Sequence, residues 1–238
     1  MNATIAAITL RAMLGRRRAL LLFALPALPI LLAVILRMTG DNDLGTSAGV
    51  LQSLVLGTLL PLLCLIAGTG VIGPEIDDGQ IMYILTKPIP RPVITTTKLV
   101  VAFGLAVVFA VIPTLLTGLL LTGTFSGLTA GFTAGALVGA AAYCAIFVAL
   151  AVISRNAVTI GLIYALVWES LIGNLASGAR SASVQQWALS VADAVADTDR
   201  ITPAVSLPVA VVLLVVVVAG GAFLAGGRLG TLTAATAD

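Results

Sequence analysis

Carboxylates, prolines and basic residues crowd one stretch of this chain, Gly73 to Lys98, which reads GPEIDDGQIMYILTKPIPRPVITTTK. Of the protein's 12 basic and 10 acidic residues, Glu75, Asp77, Asp78, Lys87, Arg91 and Lys98 fall in it. Pro74 suits a first helical position, where its missing N–H costs nothing, and Glu75, Asp77 and Asp78 follow in the first turn, where the helix dipole favours negative charge. A helix is expected to start there. Ile81, Met82, Tyr83, Ile84 and Leu85 make an apolar tip, and Pro88, Pro90 and Pro92 forbid its continuation. At about eleven residues this helix is far shorter than the ~20 that cross a bilayer. An acidic start and an apolar tip suit a helix that presses into a groove on a soluble partner; the alternative is an amphipathic helix lying on lipid. The second position with chemical potential is Glu169, the one charge well inside an apolar run. Counting from Ala157 at ~1.5 Å per residue puts it roughly 18 Å along a ~30 Å hydrocarbon core. Such a carboxylate serves a substrate or proton path, or a hydrogen bond to a neighbouring helix, and Trp168 beside it offers apolar surface and one donor.

The chemistry that is missing narrows the field. No G-x-x-x-x-G-K-[ST] run is present to cradle nucleotide phosphates, and no H-E-x-x-H. With no histidine and only two cysteines, Cys64 and Cys144, both inside apolar runs, a transition-metal site is not expected, and the cysteines read as packed small hydrophobes. An intramembrane protease, esterase or lipid-head transferase has no obvious catalytic set. Nothing marks nucleic-acid binding beyond a few arginines that lipid headgroups explain.

The elements that must position these residues follow from composition. The chain is 60% hydrophobic and 9% charged, with a mean hydropathy of +1.17, which describes a polytopic all-α membrane protein. Apolar runs predict six spans in a single transmembrane domain, near Ala19 to Leu36, Ala48 to Ile72, Leu99 to Thr122, Thr129 to Ile153, Ala157 to Ala176 and Ala204 to Ala225. With the N-terminus inside, Arg11, Arg16, Arg17, Arg18, Lys87, Arg91, Lys98, Arg155 and Arg228 are cytoplasmic, against Arg37, Arg180 and Arg200 outside. That bias puts both termini and the segment 73–98 in the cytoplasm. A secretory signal fits the N-terminus less well, because the apolar run is long and lacks a convincing small-x-small cleavage site. Ile5, Ile8, Ala12 and Met13 fall roughly on one face instead, which predicts an interfacial helix whose arginines grip anionic headgroups.

Small and kinking residues add detail. Gly131, Gly135 and Gly139 form a small-xxx-small ridge, expected to pack within the subunit before it forms a dimer seam. Pro26 and Pro29 in span 1, Pro61 in span 2 and Pro113 in span 3 predict bends. In the connection 177–203, Val184, Trp187, Ala188, Val191 and Val195 repeat at helical spacing opposite Gln185, Gln186, Asp193, Asp197 and Asp199. This predicts a re-entrant or interfacial helix at the outer face, with Trp187 at headgroup level.

The run E-I-D-D-G-Q-I-M-Y-I-L-T-K-P-I-P-R from Glu75 to Arg91, followed by Lys98 at the head of an apolar span, resembles the acidic-residue, glycine, leucine-rich, K-P-x-x-R signature of type-2 ABC exporter permeases. The likeness is close over Gly73 to Lys98, and the six-span layout with the Trp168–Glu169 pair extends it loosely over the chain. It implies that the segment is a coupling helix between spans 2 and 3, docking on a separate ATP-binding subunit through Glu75, Asp77, Asp78, Gly79, Tyr83, Leu85, Lys87, Pro88 and Arg91. It further implies a cell-membrane exporter of two permease subunits and an ATPase dimer, with ATP and Mg held by the ATPase, no cofactor in this chain, and alternating access as the mechanism. Gln80 and Ile81 stand where threonine and leucine are commoner, which leaves the substrate open. The other readings are a membrane-integral lipid-modifying enzyme and an ion-coupled secondary transporter.

Overall fold

The computed structural model of the protein describes residues 3–15, 18–40, 43–77, 91–172, 180–196, 198 and 200–234. Inside a bilayer the backbone must satisfy its own hydrogen bonds, and every described element is helical. Helix α1 covers Ala3–Leu14 and α2 covers Arg18–Met38. Helix α3 runs over Leu44–Gly49, continues as π-helix over Val50–Leu59 and returns to α-helix over Leu60–Gly70. The short α4 is Gly73–Asp77. Helix α5 takes Arg91–Ala106, a π segment Val107–Val111 and Ile112–Thr122, and α6 is the unbroken Gly127–Ile153. Then come α7, with Ala157–Ile163 followed by the π segment Tyr164–Ile172, α8 at Val184–Ala196 and α9 at Leu207–Ala234.

Five helical stretches among the described residues are long and apolar enough to cross a membrane: Ala19–Met38, Leu44–Glu75 (α3 with the turn after it and the start of α4), Val93–Thr122, Gly127–Ile153 and Leu207–Arg228. The predicted fifth span, 157–176, extends past the described residues, which stop at Ile172, and its described apolar helix is Ala157–Glu169, so five of the six expected spans are seen at full length among the described residues. The second and third spans are longer than hydropathy indicated, because Glu75 and the stretch before Leu99 are helical although polar. In α1 the buried residues are Thr9 and Met13, while Ile8 is exposed, so the inward face is rotated from the one the apolar pattern predicted. The cause is packing against α5, which selects the face by fit.

Helix α6 is the centre of the bundle. Phe132, Ala136, Ala140, Tyr143, Cys144 and Phe147 along it are fully buried, and α3, α5, α7, α8 and α9 all pack on it. By contrast α2 and α9 turn Leu20, Phe23, Val212, Val215 and Phe223 outward, as helices bordering lipid do. Two of the π segments have a shared cause. Pro61 and Pro113 each stand directly after one, at the second position of the returning α-helix. Proline lacks an N–H and crowds the carbonyl four residues back, and widening the preceding turns relieves that clash. Pro26 and Pro29 of α2 meet both π segments around an apolar void of about 10 Å³ lined also by Val55, Leu59 and Phe109.

Candidate functional site

The base of the 73–98 segment is built around Lys98. Helix α3 ends at Val71, whose carbonyl has no N–H of a continuing helix to accept from, and α4 begins two residues later. From α5 the Lys98 ammonium reaches across to donate to the Val71 carbonyl at 2.7 Å, and it pairs with the Glu75 carboxylate at 2.6 Å. Lys98 is completely buried and Glu75 is 17% exposed, so the pair sits at the edge of the interior. A cation at a helix C-terminus complements the dipole, and here it arrives from a neighbouring helix. The end of α3, the start of α4 and the first turns of α5 therefore meet at one nitrogen.

Of the other predicted docking residues, Asp77 closes α4 and Arg91 opens α5, both described through their backbone alone. Asp78, Gly79, Tyr83, Leu85, Lys87 and Pro88 lie outside the described residues. Helix α4 begins where Pro74 and the carboxylates predicted, with five of its expected eleven residues described. Lys98 was read from sequence only as a flank of its span; its place in a long polar prelude to an apolar run was the signal that it is interior.

The second polar centre gathers around Glu169 in the middle of the bundle. The Tyr164 hydroxyl donates to Oε1 at 2.9 Å, and the backbone N–H groups of Val184 and Gln185 donate to Oε1 at 3.1 Å and Oε2 at 3.4 Å. The Ser183 hydroxyl also donates to Oε2. The carboxylate thus caps the first turn of α8 from another helix, where orphan N–H groups and the dipole favour an anion. Tyr164 and Glu169 are five residues apart, and the i→i+5 winding of a π-helix brings such a pair toward one face. Trp168 next to Glu169 is half-buried.

Helix α8 is held along its whole length. Gln185 Nε2 donates to the Gln52 carbonyl of α3 at 3.1 Å, next to Gly57, where a Cβ would sit 2.8 Å from that same nitrogen. Gln186 accepts from the Ala204 N–H at 3.2 Å, Ser190 donates to the Val205 carbonyl at 2.7 Å, and Trp187 Nε1 donates to the Ser181 carbonyl at 2.8 Å. The glycine ridge of α6 receives the Ala188, Ala192 and Ala196 ridge of α8 in antiparallel register. A Cβ on Gly135 would lie 2.6 Å from the Ala188 carbonyl oxygen, and one on Gly131 would strike that of Ala192. The ridge packs inside the subunit. Trp187 is 6% exposed, buried within the protein rather than facing headgroups; Val184, Trp187 and Ala188 are buried as the spacing predicted, but Gln185 and Gln186 are buried with them and Val195 is exposed, which departs from the predicted faces. Backbone contact between glycine and alanine decided the orientation, and the glutamines found carbonyl and N–H partners within.

Elsewhere the features are plain. A cavity of about 300 Å³ opens between α2, α3 and α7, lined by Leu21, Leu25, Leu62, Leu65, Ile66, Thr69, Val158 and Leu162. Its one polar residue, Thr69, turns its hydroxyl back to the Leu65 carbonyl, so the wall is apolar. A G-x-S-x-G run stands at Gly45–Gly49, but Ser47 is buried, donates to the Asp43 carbonyl at 3.1 Å, and has no histidine anywhere in the chain to act as its base. Among the described residues no cluster of three metal-ligating side chains occurs. At the start of α3 the Asp43 carboxyl is held below its ordinary range, chiefly by the backbone N–H groups of Gly45 and Thr46.

Against known proteins, one family model, described as ABC-2 family transporter protein, matches residues 14–176. That match spans α2 to α7 and includes the whole 73–98 segment. None of the curated proteins matches the chain.

Proposed function

The chain belongs to the ABC-2 family of transporter proteins, and from that premise we propose that this multi-pass membrane protein is the permease subunit of an ABC exporter whose ATP hydrolysis takes place on a separate subunit. The observation that carries the reading is the pairing of the family match with the segment 73–98, a charged interlude between two long apolar helices. In this reading the segment is cytoplasmic, as are both termini. The acidic first turn at Glu75, Asp77 and Asp78 sets the coupling helix, Gly79 follows it, and Tyr83 and Leu85 fill a groove on the ATPase. Lys87, Pro88 and Arg91 bound the tip. ATP and Mg belong to the ATPase dimer, and closure of that dimer presses the coupling helices and swings the spans from inward to outward access.

Two copies of this permease, or this one and a relative, complete the transporter, with α1 lying at the cytoplasmic lipid interface and α8 a re-entrant half-span on the outer side. The glycine-alanine contact with α6 and the length of α8, 13 residues or ~20 Å, support the last assignment. Glu169 and Trp168 remain the pathway candidates of the chain, in competition with the tethering role that four donors to the carboxylate favour.

The experiment is topological and biochemical at once. Cysteines introduced at Thr86 and Thr236 label only from the cytoplasm and one at the exposed Thr124 only from outside; an ATPase subunit from the same source co-purifies with the chain. Labelling of Thr86 from outside overturns the orientation, and failure to retain any ATPase overturns the transporter assignment.

A further inference from the structure

We propose that Lys98 is the positioning residue of the coupling segment, the polar tie that makes the end of α3, the start of α4 and the first turns of α5 move as one body when the ATPase presses on the loop. The proposal rests on the permease reading above and adds to it a specific residue and a specific mechanical role.

The segment leaves α3 after Val71 and re-enters the bundle on α5. A push on its middle is transmitted only if its two ends cannot yield. The backbone itself gives little resistance at the departure point, since α3 ends at Val71 and α4 is a separate helix of five residues. Gly73, the first residue of α4, has nothing within 4 Å of where a Cβ would stand. Without a cross-link this turn is the natural hinge, and a load would bend α4 away from the membrane helices. Lys98 removes that freedom. Its ammonium binds the last turn of α3 through the Val71 carbonyl and the first turn of α4 through Glu75, while its stem is packed within α5 with no solvent exposure. A buried ammonium that loses either acceptor is left partly unsatisfied in an apolar setting, so opening the joint is opposed by desolvation as well as by the lost pair.

The test uses the full chain assembled with its ATPase subunit in nanodiscs. Spin labels on cysteines at Leu44 and Thr124, at the far ends of α3 and α5 and both exposed, read how nucleotide moves the helices. The unmodified interior shifts that distance between the nucleotide-free state and ATP with vanadate. Lys98→Met, which keeps the stem and removes the ammonium, retains the ATPase and abolishes the shift. An unaltered shift in Lys98→Met overturns the proposal, as does a complex that retains its ATPase but shows no shift with Lys98 in place. A second measurement leaves Lys98 untouched and so does not depend on the variant folding. Labels at Gly73→Cys and Thr96→Cys, across the joint, keep one distance distribution in both nucleotide states, and separation of the two labels on adding ATP and vanadate overturns the proposal. Should the unmodified chain bind no ATPase at all, the permease reading fails first and this inference with it.

Discussion

Glu169 and Lys98 are both fully buried charges in apolar helices, yet the carboxylate is met by four donors and the ammonium by one carboxylate and one carbonyl. Around Glu169 the contact is also continuous. Helix α8 lies against the glycines of α6 with carbonyl oxygens close to their Cα atoms, and its glutamines and Ser190 bond to α3 and to the approach of α9. Losing any one of these interactions leaves the others in place. Around Lys98 the polar ties from α5 to the end of α3 and to α4 pass through one nitrogen, on top of the apolar packing of α3 against α5. Many redundant polar contacts hold the first region to one shape, whereas the second has the few polar ties that suit the displacement proposed for it.

The strongest way to break the comparison is to attack the redundant side at the point that cannot yield. Gly131→Leu sets a side chain against the Ala192 carbonyl and the Ala196 methyl, so α8 must leave its seat. Overpacking against backbone is expected to cost ~3 kcal/mol or more, visible as a large fall in thermal stability in nanodiscs; a variant as stable as the parent would mean that α8 does not rest on that ridge. Next in size is Lys98→Met, which breaks a buried pair. Removing one partner of such a pair costs ~3–5 kcal/mol, and the partial exposure of Glu75 puts this one at the low end. Equal stability of Lys98→Met and the parent would deny the pair its buried character. Glu169→Gln comes third. It keeps the shape but turns an acceptor into a donor facing N–H groups, and hydrogen bonds to a charged group carry ~1.5–3 kcal/mol. The tethering reading expects faster hydrogen exchange confined to the first turn of α8, whereas a pathway role expects impaired transport with exchange unchanged.

The smallest effect sharpens the comparison at an exposed cap. Because the folded Asp43 carboxyl titrates below its ordinary value of 3.8, its contribution to the start of α3 is present above that pH and is lost as pH falls through the lower folded value. Acid unfolding of the parent should therefore steepen below pH 3.8 relative to Asp43→Asn, and identical acid profiles would remove the cap from the account.

Much of the bundle was legible because apolar runs and their basic flanks are additive along the chain. The span expected near Thr129 to Ile153 is α6, Gly127–Ile153, for that reason, while the start of α4 beside Pro74 was legible from the proline and the first-turn carboxylates. What escaped reading is pairwise. Gly131 and Gly135 announced a close neighbour, but the alanines at 188, 192 and 196 that answer them repeat with the same spacing inside a stretch whose glutamines and aspartates look like a surface helix. Ser183 gave no local sign of meeting Glu169, since the contact joins residues 14 apart in the chain. Lys98 looked like one more positive flank, and only the carbonyl left over at the end of α3 reveals what it binds. The π segment Val50–Leu59 had a sign in Pro61, read as a bend and realised as a widened turn.

The claim on which everything turns is that the 73–98 segment couples this permease to a separate ATPase. Its most direct test is the ATPase content and activity of the purified complex carrying Tyr83→Ala with Leu85→Ala, two apolar side chains worth a few kcal/mol of burial at ~25 cal/mol per Å². The account predicts that the parent chain alone hydrolyses no ATP, that the complex does, and that the double variant stays in the membrane but releases the ATPase or uncouples its hydrolysis from movement of the spans. Hydrolysis by the chain alone, or a double variant that keeps its ATPase and its nucleotide-driven movement, would contradict it.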